Sequence, residues 1–113
     1  MWAQGGTRLE NPTALITDFG YEKDVAASDD ASRPQVVPVS GSMTEAQKTE
    51  PDKNTYLIFK QGLKGADASY DYGKHFVFQG HENAASVNNV KQGYITRVNL
   101  DADAQHRVTL MAT

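Results

Sequence analysis

The sequence predicts an all-β fold built from antiparallel strands and hairpins, and three observations carry that prediction. Apolar and β-branched runs of five to seven residues recur, each bracketed by Gly, Asn or Pro, the length and punctuation of strands. The C-terminal residues alternate between apolar and polar with a period of two. Almost nothing shows the spacing of an amphipathic helix. The expected architecture is a propeller-blade-like or small β-sandwich-like module with a long polar loop.

The first expected strand is Thr13–Phe19, which follows Asn11-Pro12 and stops at Gly20. A polar span, residues 24–54, comes next. It contains no aromatic residue and is rich in Ala, Ser, Asp, Glu, Lys, Gln and Pro, so it reads as a surface loop or insertion. Within it, Val36–Val39 reads as a short edge strand around Pro38, and Thr44–Lys48 as one helical turn capped by Thr44 or Ser42. Thr55–Lys60 is a continuous apolar run of the kind found in buried strands. His75–Gln79 is another, bracketed by Gly73 and Gly80. Residues 94–111 read as a hairpin. Tyr94, Thr96, Val98 and Leu100 share one face, Val108 and Leu110 face together, and a polar link, Asp101–Gln105, joins the strands. Arg97 and Arg107 then fall on the opposite, wetter face.

The 113 residues suit a single β-rich module, residues 1–113, and are too few for a complete barrel enzyme or propeller. An apolar fraction of 39% leaves only part of the chain for core. Eleven basic against fourteen acidic side chains, unclustered, argue against nucleic acid as a partner. The lack of cysteine removes disulfides, thiolate zinc sites and cysteine nucleophiles. The opening residues carry no signal-peptide pattern, and no apolar run is long enough to form a transmembrane segment.

Local motifs are sparse, and no catalytic residue can be named from them. Asp18-Phe19-Gly20 spells the kinase magnesium tripeptide without any companion motif, so it reads as a strand end at a glycine turn. Asp67-Ala68-Ser69-Tyr70-Asp71 and Asp101-Ala102-Asp103 lack EF-hand spacing and read as solvated turns. His75, His81 and His106 lack metal-ligand spacing. Gly80-His81-Glu82-Asn83 places a His and a Glu where a strand is expected to end. That is a position for acid–base work or cation binding, although on local evidence an ordinary polar turn is the better fit.

The block from Tyr70 to Glu82, followed by Gly93–Asp101, His106–Leu110 and the opening Arg8–Ala14, resembles the N-terminal part of PhoX-like proteins. These are secreted bacterial β-propeller proteins whose best-known members are alkaline phosphatases. The resemblance implies an extracellular or periplasmic location and calcium as a cofactor, with iron in the phosphatases. It also implies Glu82 as a metal ligand, with His81 facing substrate or steadying the ligands from behind. Two departures stand out. The family's iron-binding cysteine is missing, which argues against iron here, and Gly80 replaces an asparagine of the motif.

Two functions follow as expectations. One is a partial PhoX-like module, implying metal-dependent hydrolysis of phosphate monoesters that this chain alone does not complete. The alternative is a non-catalytic extracellular structural or assembly protein that oligomerises through β-strand edges. Its partner is either a second copy or the remaining part of a larger β protein, and the product is a closed oligomer or an open fibre according to symmetry.

Overall fold

Cross-strand pairing of Val98 with Val108 and of Thr96 with Leu110 closes the C-terminal hairpin, as the alternation requires. In a computed structural model, which describes residues 3–26, 37, 46–87 and 90–113, that hairpin is half of a larger sheet. The strands are β1 (Tyr21–Ala26), β2 (Ala46–Lys48), β3 (Glu50–Ile58), β4 (His75–Val87), β5 (Val90–Asn99) and β6 (Val108–Ala112). β3-β4-β5-β6 form a four-stranded antiparallel meander, and β1-β2 form a separate antiparallel pair. The fold is all-β, with no helix among the described residues.

Residues opposite one another in an antiparallel ladder share a face. One face of the meander therefore carries Val77, Gln79, His81, Tyr94, Thr96 and Val98. Residues 3–20 fold back over it as an arm. Leu9 N donates to Thr17 O (3.0 Å) and Phe19 N to Thr7 O (2.8 Å). Leu9 and Ile16 thus reach Tyr94 and Val108, with Ala3, Phe19 and Leu110 packed around them. Burying side chains of this size contributes roughly 1.5–3 kcal/mol each.

The other face carries Phe76, Phe78, Arg97 and Asn99, and residues 62–73 cover it. Tyr72 is fully buried there. The Arg97 guanidinium lies 5.1 Å from the Tyr72 ring centre and 4.7 Å from that of Phe76. A Cβ on Gly65 would come within 2.6 Å of Tyr72 Cζ, so only glycine lets this segment lie so close.

Several expectations are corrected. Thr13–Phe19 is not a strand. Thr13 turns the chain by accepting from Ile16 N through its Oγ1 (3.0 Å), and the backbone of Thr17–Phe19 pairs back onto residues 7–9. Thr55–Lys60 is not a buried strand. β3 is an edge, and Tyr56, Leu57 and Ile58 are exposed. Arg97 lies on the expected face, but that face is covered, so the residue is buried. Ala46–Lys48 is extended rather than helical and pairs with β1, while Thr44 and Ser42 lie outside the described residues. β1 and β3 also extend into the span expected to be loop, taking residues 24–26 and 50–54. Of Val36–Val39, only Val37 is described; it is buried, and its carbonyl accepts from Ala46 N (2.7 Å).

Candidate functional site

β4 does not end at Gly80, so His81 and Glu82 lie within a strand rather than at its mouth. Their side chains point to opposite faces, and the structure does not bring them together. His81 points inward, opposite Tyr94 and Pro51. Its Nδ1 is 3.1 Å from Thr49 Oγ1 and its Nε2 is 2.8 Å from Thr96 Oγ1. The ring stacks on Tyr94 at 4.2 Å and meets the edge of Phe19 at 4.8 Å. Burial pushes its pKa down to about 4. A neutral imidazole with one nitrogen donating and the other accepting satisfies both threonines. Neither nitrogen is left to take a proton from substrate or to bind a cation.

Glu82 is exposed, opposite Gly93 and Glu50. Calcium takes six to eight oxygens, and no group of three or more His, Cys, Asp or Glu able to hold a metal occurs among the described residues. Among the described residues Glu82 therefore has no His, Cys, Asp or Glu grouping beside it that would supply further ligands.

Beside His81 lies a cavity of about 220 Å³. Phe19, Tyr21 and Pro51 form apolar walls, Gly5 and Gly20 contribute bare backbone, and Lys48, Thr49 and Gln79 complete the lining with His81. Tyr94 braces it from behind, its hydroxyl accepting from Gly20 N (3.0 Å) and donating to Tyr21 O (3.1 Å). The residue pattern singles out His81 but carries no sign of the cavity, whose walls come from the arm, β1, β2 with Thr49, and two strands of the meander.

A second cluster escaped the sequence reading. The two acidic turns meet across His106, whose Nδ1 is 2.8 Å from Asp103 Oδ1 and whose Nε2 is 3.1 Å from Asp67 Oδ2. Tyr70 stacks on the ring at 3.6 Å. Hydrogen bonding to Asp103 raises the His106 pKa, and Asp67 and Asp103 are correspondingly lowered, Asp67 chiefly through Ser69 and Asp103 chiefly through His106. Tyr72 Oη donates to Glu10 Oε2 (2.6 Å), and Thr109 Oγ1 donates to Glu10 Oε1. Nearby, His75 Nδ1 lies 2.8 Å from Asp101 Oδ2. These contacts tie residues 62–73 to the hairpin, a structural use of residues that resemble acid–base machinery.

The two edges of the meander differ. At β6, Glu10 N donates to Val108 O (3.0 Å), Asn11 Oδ1 accepts from Leu110 N (2.7 Å) and Asn11 Nδ2 donates to Leu110 O (2.9 Å). Asn11 thus occupies both backbone groups of Leu110. At β3 no such cap exists among the described residues. Tyr56 is 54% exposed and Ile58 63%, with Leu57 at 42% on the opposite side of the strand. Pro51 and the register shift between Pro51 and Asn54 blunt the first half of this edge, leaving residues 54–58 regular and open.

Compared with known proteins, the chain matches no family model, no curated protein and no solved structure. No helix among the described residues is long and apolar enough to cross a membrane.

Proposed function

We propose that the chain is a non-catalytic assembly module whose partner, a second copy, adds a strand to the outer edge of β3. The observation that carries this reading is the contrast between the edges: β6 is capped, whereas β3 presents Tyr56, Leu57 and Ile58 to solvent along a regular stretch. Strand addition satisfies open backbone groups and at the same time covers flanking apolar side chains. The His81 contacts point the same way, since both nitrogens are engaged and Glu82 lies on the opposite face. The four-stranded antiparallel meander is also the form of one propeller blade.

Light scattering on the purified chain tests the proposal. The expected result is a mass above the 12.4 kDa of one chain, falling to that value in Ile58→Lys without loss of the β-sheet circular dichroism signal. A parent protein that stays monomeric at every concentration overturns the reading. So does metal-dependent turnover of a chromogenic phosphate monoester by the monomer.

A further inference from the structure

The cavity beside His81 takes no part in strand pairing, and its walls are specific enough to say what it would hold. We propose that it is a binding site for a small neutral aromatic molecule of the phenol class.

Size is the first constraint. Apolar cavities of about 150 Å³ in other proteins accept benzene. At about 220 Å³, this one admits a single ring with one or two small substituents. Shape is the second. Gly5 leaves one side of Tyr21 uncovered, because a Cβ placed there would touch only Tyr21 Cε2, at 3.6 Å. Phe19, held edge-on against His81 with their ring centres 4.8 Å apart, gives the lining a second aromatic surface. A flat ring packed against these side chains gains offset or edge-to-face contacts as well as burial.

Polarity is the third constraint. The inner wall has spent its hydrogen bonds: His81 on Thr49 and Thr96, and the Tyr94 hydroxyl on Gly20 and Tyr21. Lys48, the cation on the lining, already has an interaction partner of its own, so a ligand with several polar groups, or with a charge buried against Phe19 and Pro51, would lose hydration without full replacement. One hydroxyl directed at the Gln79 amide is compatible, because that residue borders the cavity from β4. A phenol has this distribution: an apolar ring carrying a single polar group.

The test uses the full chain and p-cresol, with benzoate as the charged counterpart, followed by NMR. The expected result is saturable shifts of the Gly5 and Gly20 amides and nuclear Overhauser contacts from the cresol ring to Phe19 and Tyr21. Benzoate should bind at least about tenfold more weakly, and Gly5→Leu, which fills the cavity, should weaken p-cresol by at least about tenfold. The absence of ring contacts to Phe19 and Tyr21 in the parent protein overturns the proposal, whether or not Gly5→Leu folds. Benzoate binding as tightly as p-cresol overturns the assignment to a neutral ligand. A folded Gly5→Leu that binds p-cresol as well as the parent also overturns it.

Discussion

The two faces of the meander bury polar residues by opposite means. On the face covered by the N-terminal arm, His81 is kept neutral and hands both nitrogens to threonine hydroxyls. On the face covered by residues 62–73, the charges are retained. Arg97 lies between Tyr72 and Phe76, with Nε donating to Asn99 Oδ1 (2.6 Å) and Nη1 to Lys64 O (3.0 Å), while His106 sits between two aspartates. Desolvation lowers the Arg97 pKa, and Glu10 pulls it back up. The difference teaches that a histidine's role follows from its neighbours' acceptors. Hydroxyls accommodate a neutral ring, whereas carboxylates demand a charged one.

The largest expected effect comes from breaking the charged face. Arg97→Ala strips the cation from two rings and leaves Asn99 and the Lys64 carbonyl without their donor, so urea melts should show a loss of roughly 3–5 kcal/mol, the sum of two unpaired acceptors and the lost cation–π contacts. A loss below about 1 kcal/mol would mean the guanidinium is far better hydrated than its burial implies.

Acid sharpens the contrast next. The folded pKa of His81, about 4, lies below its unfolded value near 6.5, so its contribution is complete above 6.5 and drains away as the pH falls. Stability should drop by roughly 2 kcal/mol between pH 7 and pH 5, and by roughly 3 by pH 4. In His81→Gln the slope of denaturation free energy across that window should flatten. An unchanged slope would assign the acid sensitivity to other groups.

His106 carries the opposite sign. Its raised folded pKa means that its contribution is complete below about 6.5 and is lost as the pH rises through the folded value. The melting temperature of the parent should fall across that rise, and His106→Gln should remove the fall. The smallest effect on stability is expected at the open edge, where Ile58→Lys should shift unfolding by no more than about 0.5 kcal/mol while abolishing association. A large destabilisation there would mean that Ile58 packs within its own chain.

The strand pattern made the hairpin and the inward set Tyr94, Thr96 and Val98 legible from the sequence, because period-two alternation reports which side chains share a face. It could not report which faces are covered. Arg97 reads as a wet-surface residue because nothing local reveals that Tyr72 folds over it. Gly80 reads as a strand end because it closes an apolar run, although the strand runs on. A Cβ there would meet Asp52 Cβ at 3.5 Å, an ordinary contact, so the passage of β3 does not require the glycine. Asp103 and His106 lie three residues apart in one turn, but the arrival of Asp67 at the same ring depends on a loop crossing that no spacing encodes.

Asn11 sets the valence of the strand-pairing reading. With its amide filling both backbone groups of Leu110, each molecule has one adhesive margin and one sealed margin. Two adhesive margins that meet about a twofold axis consume each other, and growth terminates at a pair. Asn11→Ala frees both backbone groups of Leu110 while Glu10 N still covers Val108 O, so on this reading the sealed margin becomes partly adhesive. On that reading, elongated polymers become accessible to the variant where the parent would stop at a pair.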